Sequence, residues 1–575
     1  MRWNESQCDK GMKMSISDVG MLFQFVGGLG MFLYGMNIMA DGLQRSAGGK
    51  MQKLMGFLTR NRLMAVLVGA GVTAIIQSSS ATTVMVVGFV NAGILELAQA
   101  VGVIMGANIG TTITAWIVSM NELGSVMKPE FFAPLLVGIG AFLVLFAKSE
   151  NKKKVGEILV GFSVLFIGLS FMSDAIKPYR DAPIFADAFR VLGRNPLLAI
   201  LAGAGVTAII QSSSASVGIL QTLALNGVVN WQSAVFITLG QNIGTCVTAL
   251  ISSAGAGKNA KRASIIHLLF NVIGAAVFGV IMFILFKVNT AWGAATISSV
   301  QISVFHTVFN VVNTILLFPF ANRLVQLSGL IIREDKDAEP EITAAGQMRR
   351  HLDTRILANP AFAMDTVLGQ VNVMGREVAE SLKLALSAVE DGNEEKIQSV
   401  LTQEKTINEM ETILTAFLVS VDNLSLTDEQ HQQVKNLFYT ISDLERVGDH
   451  AENIAELADN MRKGGLSFSK KGVKDLHLIA EETILALESA LKARELASTS
   501  DAMQEADYEQ NVDKLEEELR EKHIQRLSRG KCEPESGVIF LDLISNLERI
   551  SDHATNIAGY VVKEASKPTT AFEEA

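Results

Sequence analysis

A thirteen-residue segment with the sequence GAGVTAIIQSSSA occurs twice in this chain, at 69–81 and at 203–215. The offset of 134 residues also relates GANIGTTITA at 106–115 to GQNIGTCVTA at 240–249. Each copy of the first segment places the polar group Gln-Ser-Ser-Ser within a long apolar run. A duplicated apolar unit with the same polar residues at the same place is typical of a secondary transporter built from internal repeats.

The chain of 575 residues contains two regions of different composition. Residues 20–330 are rich in apolar residues and glycine, whereas residues 331–575 carry dense charges in helical patterns. The net charge of −10 and the lack of a concentrated basic stripe argue against nucleic acid as a partner. Three widely separated cysteines, Cys8, Cys246 and Cys532, predict neither a disulfide framework nor a cysteine metal site.

Apolar stretches in the first region are long enough, with their flanking residues, to cross a bilayer. They lie at about 20–41, 131–147, 156–173, 265–286 and 302–321. Residues 1–14 do not read as a signal peptide, so the first stretch is expected to be retained.

Further apolar segments are interrupted by Gly, Ser, Asn and Thr, and they lie at about 62–95, 97–120, 196–229 and 232–254. An interrupted helix leaves backbone groups unpaired, which is tolerated in a membrane only inside protein or around a water-filled cavity. Each QSSS group is therefore predicted to be the tip or break of a re-entrant helix–turn–helix element.

The distribution of basic residues predicts the orientation of the repeats. Two short basic loops, 148–154 and 258–262, are expected to face the cytoplasm. Loop 42–62 has basic residues and no acid, whereas its repeat partner 175–195 is diluted by aspartates. Equivalent loops thus alternate in charge, which predicts an inverted topology in which matching QSSS groups converge on one site.

Hydroxyl and amide side chains, together with the exposed N-terminus of a helix, suit an oxyanion. Their oxygen atoms also suit Na⁺, and an anion and cations held together offset each other's desolvation. The alternative is that small residues pack helices closely and that Ser or Thr bonds back to its own helix. Two identical copies favour a binding site.

His267 and His306 are expected near span ends, and a proton relay through them is the less favoured use.

The paired QSSS groups, each followed by an NIGT-type motif, resemble the type II sodium–phosphate cotransporters over about residues 20–325. The resemblance implies an inverted-repeat fold and sodium-driven phosphate uptake. It implies phosphate-binding residues Gln77, Ser78, Ser79, Ser80, Gln211, Ser212, Ser213 and Ser214. It implies sodium or supporting ligands Asn108, Thr111, Thr112, Asn242, Thr245 and Thr248, with Cys246 standing where the first repeat has Thr112.

The second region is also duplicated, because DLERVGDHAENIAE at 443–456 recurs as NLERISDHATNIAG at 546–559. Its amphipathic pattern predicts six helices packed as two three-helix units. The expected helices are about 361–391, 393–422, 428–462, 473–498, 500–526 and 534–566.

Each repeated motif places two carboxylates four residues apart on one helix face, Glu445 with Asp449 and Glu548 with Asp552. They either join a solvated salt-bridge network with Arg446 and Arg549 or bind a metal. The region resembles PhoU, the regulatory protein of phosphate transport, and this favours a divalent or iron-type metal. Supporting ligands would be Glu404, Asn408, Glu411, Glu509, Asp513, Glu516, His450 and His553.

The expected protein is all-α, with a polytopic membrane part of two inverted repeats and a six-helix PhoU-like bundle. Its expected segments are 1–19 at the N-terminus, repeats 20–155 and 156–290, a further transmembrane helix in 291–330, a linker 331–360, the bundle 361–566 and a tail 567–575. It is expected to be a sodium–phosphate symporter in the cell inner (plasma) membrane, not an enzyme, with the bundle in the cytoplasm. A homodimer and phosphate-signalling partners are further expectations.

Two alternatives stay open. One is a transporter or exporter of phosphate or another small oxyanion on the same scaffold. The other is a membrane-tethered sensor of phosphate status with little net transport.

Overall fold

The computed structural model describes residues 16–55, 61–122, 129–179, 183–333, 343–424 and 426–565. The chain divides into two compact units, Met1–Lys336 and Asp337–Ala575. The expected tail and most of the expected N-terminal segment lie outside the described residues. Helices dominate both units, and the described residues contain one isolated β-bridge, Asn230 with Thr296, and no strand.

The first unit contains fifteen α-helices in its described part. They are α1 (Ile16–Met55), α2 (Arg62–Ile76), α3 (Ser79–Asn91), α4 (Leu97–Gly110), α5 (Thr112–Ser119), α6 (Pro129–Phe146), α7 (Glu150–Ile176), α8 (Pro183–Arg194), α9 (Pro196–Ile210), α10 (Ser213–Leu225), α11 (Trp231–Ser253), α12 (Lys258–Val288), α13 (Thr290–Ala294), α14 (Ser299–Leu317) and α15 (Ala321–Ile331). Short 3₁₀ helices cover Met120–Glu122, Lys177–Tyr179 and Phe318–Phe320.

Six helical segments of this unit are long and apolar enough to cross a membrane, within the part of the chain that is described. They are Ile16–Ser46, Leu97–Glu122, Asn151–Tyr179, Trp231–Ser253, Lys258–Val288 and Ser299–Ile331. A bent pair, Asp187–Arg194 with Pro196–Ile210, passes the same test together and turns by 113° at its break. The polytopic all-α membrane architecture expected from the sequence is therefore confirmed.

Within each repeat, glycines let two helices pack closely against each other, and the two pairs are equivalent. α2 packs on α4 and α9 packs on α11. A Cβ atom added to Gly106 would lie 2.0 Å from the carbonyl oxygen of Val66, and one added to Gly240 would lie 2.0 Å from that of Ile200. No side chain fits at such distances, so part of the small-residue pattern serves helix packing.

The repeats differ in one respect that their sequences did not indicate. The NIGT segment of the first repeat is divided at Thr111 between α4 and α5, whereas the second lies inside the uninterrupted helix α11. Asn242 and Thr245 do not break this helix, and their side chains donate to its backbone carbonyls one turn earlier.

The second unit consists of α16 (Ala344–His351), α17 (Pro360–Asp391), α18 (Glu394–Asp422), α19 (Asp428–Gly464), α20 (Lys470–Leu496), α21 (Thr499–Ser528) and α22 (Pro534–Ala565), with a 3₁₀ helix at Thr354–Ala358. Local signals fix the helix ends. Asn359 caps α17 ahead of Pro360, and Gly392 and Gly465 end α17 and α19 with positive φ angles of 62° and 63°.

The long helices form two three-helix groups, α17–α19 and α20–α22, which meet mainly through α19 and α22. This is the PhoU-like arrangement expected from the sequence. The expected linker 331–360 is partly helical instead, since α16 and the 3₁₀ helix bury Met348 and Ile356. Residues 334–342 of that linker lie outside the described part of the chain.

Candidate functional site

The helix break in each QSSS group lies between its glutamine and its second serine. α2 ends at Ile76, Gln77 adopts a left-handed conformation with a φ of 58°, and Ser78 caps the N-terminus of α3. Gln211, with a φ of 56°, and Ser212 do the same between α9 and α10. A left-handed non-glycine residue is strained, so its repetition at equivalent positions indicates a constraint at the break itself.

The structure brings the two breaks together. The hydroxyl oxygen of Ser214 lies 3.5 Å from the backbone carbonyl oxygen of Gln77, although 137 residues separate them. The helix that follows each QSSS group packs against the NIGT helix of the other repeat, α3 against α11 and α10 against α5. The two repeats therefore contribute jointly to one buried polar region.

A narrow cavity lies in this region. Its lining residues are Thr111, Thr114, Ala115, Ser213, Ser214, Val217 and His306. Its volume is about 10 Å³, close to the smallest cavity that can hold one water molecule. In this conformation the cavity is therefore nearly closed. It combines the second QSSS group with the end of the first NIGT segment.

In the first QSSS group, hydrogen bonds hold the Gln77 side chain in a buried position, which we call the closed state. The amide oxygen of Gln77 accepts a hydrogen bond from the hydroxyl of Thr114 at 2.9 Å, and its amide nitrogen donates to Ala74 O at 2.5 Å. Ser79 is 2% exposed, and its hydroxyl has no hydrogen-bond partner within the described residues. A buried hydroxyl without a partner is costly and is often kept for a ligand or a water.

Several residues expected to be ligands are instead engaged with their own helices. The hydroxyls of Ser78 and Ser212 accept from the backbone N–H groups of Ala81 and Ala215 as N-caps. The remaining bonds are those from Asn108 to Ile104, Thr112 to Ile109, Asn242 to Thr238 and Thr245 to Gln241, each to a backbone carbonyl. For these side chains the packing and back-bonding alternative describes the observed geometry.

The second repeat is more open than the first at the matching positions. Gln211 is exposed, whereas Gln77 is 4% exposed. The hydroxyl of Thr248 is buried and has no hydrogen-bond partner among the described residues. Of the remaining expected residues, Ser80 and Ser213 are half-buried.

Thr114 was not among the residues expected from the sequence. The repeat offset of 134 maps it onto Thr248, which was expected, so applying the offset in both directions would have identified it.

A histidine–asparagine cluster adjoins the cavity. Nε2 of His306 lies 3.3 Å from Oδ1 of Asn242, and Nδ2 of Asn310 donates to the same oxygen at 3.4 Å. His306 is 3% exposed and lies about two turns inside α14, and His267 is fully buried inside α12. The surrounding helices enclose both histidines, and the expectation that they lie near span ends stays a prediction.

A second unexpected group ties the cavity walls together. The amide nitrogen of Gln221 donates to Ala115 O at 3.0 Å and to the hydroxyl of Ser303 at 2.9 Å. The carboxylate of Glu122 accepts from the first backbone N–H groups of α14, those of Ser299 and Val300, at 3.0 and 2.9 Å. These bonds link α5, α10 and α14 around the cavity, and no sequence motif marks them.

In the second unit, one group of carboxylates is suitably placed for a metal ion. Ligand oxygens of Glu509, Asp513 and Asp552 lie within 4.8 Å of one another. Partial burial, together with the neighbouring Asp513 and Asp552 carboxylates, raises the pKa of Glu509. Oxygen ligands that repel one another in this way favour a hard cation between them.

The other motif is less compact in its described geometry. Burial and the neighbouring Asp449 raise the pKa of Glu445, and Glu411 and Glu404 act in the same direction. Arg446 lies 3.8 Å from both Glu445 and Asp449. Arg549 approaches Glu548 and Asp552 at 3.5 and 3.4 Å. Both arginines are about 60% exposed, so these ion pairs contribute little.

Other expected supporting residues have partners of their own. Asn408 bonds to Glu404, Glu516 bonds to Arg520, and Glu411 accepts from Thr415 at 3.3 Å.

The two motif histidines join the three-helix groups. Nδ1 of His553 lies 2.8 Å from Oδ1 of Asp443, and Nδ1 of His450 lies 2.8 Å from Oδ1 of Asn546. Asp443 and Asn546 are equivalent residues of the duplicated motif, so the contact is reciprocal. It engages Nδ1 of each ring, so either histidine could bind a metal only through its Nε2 atom.

Comparison with known protein families matches both units. Residues 31–174 and 183–317 match the family model described as Na⁺/Pi-cotransporter, and residues 371–458 and 476–561 match the PhoU domain. Each model matches twice, and the first Na⁺/Pi-cotransporter match extends beyond residue 155 into the expected second repeat.

The chain is also similar to individual proteins. It is 24% identical over 546 residues to YjbB of Escherichia coli strain K12, a protein named for inorganic phosphate export, covering 94% of this chain and 98% of that protein. It is 31% identical over 311 residues to the uncharacterized YqeW of Bacillus subtilis strain 168, covering 54% and 98%. It is 32% identical over 134 residues to human sodium-dependent phosphate transport protein 2B, covering 23% and 19%.

Proposed function

The chain belongs to the Na⁺/Pi-cotransporter family and carries a PhoU domain, and from this we propose that it transports inorganic phosphate across the cell membrane coupled to Na⁺. The observation that carries the proposal is the approach of the two QSSS groups, with Ser214 Oγ 3.5 Å from Gln77 O, beside a hydroxyl-lined cavity. Such a site suits a tetrahedral oxyanion, and its oxygens suit sodium.

The phosphate would bind between the α3 and α10 N-termini, whose first N–H groups have no intrahelical partner. The unpartnered hydroxyl of Ser79 and those of Ser213 and Ser214 would complete the anion site. No lysine or arginine lines the described cavity, so bound sodium would supply the positive charge. Binding of the two ions would then be mutually favourable.

Transport would proceed by alternating access, with the two repeats inserted in opposite senses and their breaks near the membrane centre. The PhoU domain would lie in the cytoplasm and bind metal through Glu509, Asp513 and Asp552. There it would adjust transport to phosphate status.

Phosphate export is the second candidate function. It is favoured by the similarity to YjbB, which extends over 94% of this chain and includes both units. The same site and the same alternating-access cycle would serve export if the prevailing gradients or the PhoU domain favoured outward release.

Flux of radiolabelled phosphate in proteoliposomes tests both. Uptake that requires an inward sodium gradient supports symport, and efflux that proceeds without sodium supports export. A full-length protein that moves phosphate in neither assay, while its reconstitution is verified, contradicts the proposed function.

A further inference from the structure

The ring nitrogen Nδ1 of His306 is a buried polar atom without a partner, and its side chain lines the cavity between the repeats. His306 is 3% exposed. The other polar side chains that line the cavity are the hydroxyls of Thr111, Thr114, Ser213 and Ser214. An unpaired polar atom in such a place costs free energy unless a ligand or a water pairs with it.

The neighbouring amides determine which tautomer the ring adopts. Asn242 donates through Nδ2 to Thr238 O at 2.8 Å, so its Oδ1 faces Nε2 of His306, 3.3 Å away. Asn310 also donates to that Oδ1. An oxygen that accepts on this side requires the proton of the neutral ring to be on Nε2. Nδ1 is then left with a lone pair, as a hydrogen-bond acceptor.

An acceptor in an otherwise hydroxyl-lined site distinguishes oxyanions by whether they carry a proton. Serine and threonine hydroxyls can donate to the oxygens of phosphate and sulfate equally well. At neutral pH phosphate and arsenate have at least one O–H group, whereas sulfate has none. Sulfate would therefore place an oxygen lone pair against the Nδ1 lone pair, and this pairing is unfavourable in a buried site.

Building on the proposed function, we propose that Nδ1 of His306 accepts a hydrogen bond from the protonated oxygen of a bound tetrahedral oxyanion and so selects phosphate and arsenate over sulfate. The residue acts through direct contact with the substrate. Asn242 and Asn310 position the ring and hold its tautomer.

Two substitutions at this position separate the acceptor from the bond to Asn242. In His306→Gln, the amide can still donate to Asn242 from a place near that of Nε2, but no acceptor remains near Nδ1. In His306→Asn, the shorter side chain can place an acceptor oxygen near Nδ1 and gives up the bond to Asn242. His267→Leu is the matched control, because His267 is equally buried, has two unpartnered ring nitrogens and does not line the cavity.

The experiment measures how well unlabelled arsenate and sulfate compete with radiolabelled phosphate for transport by the full-length protein in proteoliposomes. The ratio of the two inhibition constants does not depend on how much protein is active, so partial misfolding does not change it. In the wild type we expect arsenate to compete well and sulfate poorly. His306→Gln should lower the preference for arsenate over sulfate roughly 10-fold to 100-fold. His306→Asn and His267→Leu should retain most of it.

The inference is overturned if His306→Gln weakens both competitors equally, or if the Gln and Asn variants lose the same preference. A wild type that transports phosphate but is inhibited equally by sulfate also overturns it and leaves the proposed function intact. A wild type that transports no phosphate contradicts the proposed function instead.

Discussion

Thr114 donates a hydrogen bond of 2.9 Å to the side-chain oxygen of Gln77, and this bond joins the end of the first NIGT segment to the first QSSS group. The equivalent residues of the second repeat, Thr248 and Gln211, are not joined in this way. Gln211 is exposed, and the Thr248 hydroxyl is buried without a partner in the described chain. The same local sequence therefore adopts a closed state in one repeat and an open state in the other.

Under the proposed alternating access, the two repeats would exchange these states during transport. Thr114→Val removes the bond that favours the observed arrangement. We expect it to loosen the first break and to increase the population in which the second break is closed, by a few-fold. Thr248→Val should have the opposite effect.

Hydrogen exchange measured by mass spectrometry reports both breaks in one sample when each peptide extends into the flanking residues, which differ between the two copies and so distinguish the peptides by mass. The segments 69–81 and 203–215 have identical sequences, so their intrinsic exchange rates match and any difference is structural. In the wild type, 69–81 should exchange more slowly than 203–215. If Thr114→Val changes neither segment, the bond does not control access.

Ser79 and Ser213 are expected to contribute directly to phosphate affinity. Ser79→Ala or Ser213→Ala removes a hydroxyl that the fold does not otherwise need, and each should weaken phosphate affinity by about 1–2 kcal/mol, or roughly 5-fold to 30-fold. Ser78→Ala is the control, since its hydroxyl caps α3 and its loss should lower stability more than affinity. Unchanged phosphate flux in both single variants and in the double variant would contradict the site assignment.

The sequence identified the elements of this site because the repeat and the polar residues inside apolar runs are visible without a structure. The polar residues in the middle of each apolar run predicted the helix breaks at Gln77 and Gln211, because a continuous membrane span would not have a polar group at that place. Helix ends in the second unit were also predictable, since Asn359, Gly392 and Gly465 are strong local signals.

What the sequence could not indicate depends on packing between distant segments. Gln221 bonds to Ser303 and His306 contacts Asn242, and these partners are so far apart in the sequence that no helical or repeat periodicity predicts the contacts. Asn108 and Thr112 have the residue types of ligands, yet their bonds to Ile104 and Ile109 become apparent only in the helix. The two QSSS segments have identical sequences, so the sequence could not predict that Gln77 is buried and Gln211 exposed.

Glu505 is expected to make the second unit less stable as pH rises. Burial raises its pKa to about 7, although the hydroxyl of Thr555, which donates to it at 2.9 Å, acts in the opposite direction. In the unfolded chain its pKa is near the usual 4.5. The folded state therefore holds this proton more tightly, so its contribution to stability is present at low pH and is lost as pH rises from about 4.5 to 7.

Glu505→Gln keeps a neutral side chain of similar size and removes this dependence. At pH 8 the variant should be more stable than the wild type by on the order of 1 kcal/mol, and at pH 5 the two should be similar. Hydrogen exchange of peptides from α21 and α22, in the full-length protein with a chelator present, measures the difference at each pH. An equal difference at both pH values would show that titration of Glu505 is not the cause.

Asp552 should be needed for metal binding by the second unit. Its carboxylate lies with those of Glu509 and Asp513 in a group whose ligand oxygens are within 4.8 Å of one another. A cation there relieves the repulsion that raises the pKa of Glu509. Asp552→Asn removes one charged ligand and should lower the affinity for Mn²⁺ or Fe²⁺ at least roughly 10-fold.

Asp449→Asn, at the equivalent position of the other motif, is the matched variant and should leave this ion in place. Elemental analysis after dialysis against a defined free metal concentration measures both, and equal metal content in Asp552→Asn and the wild type would remove Asp552 from the ligand set.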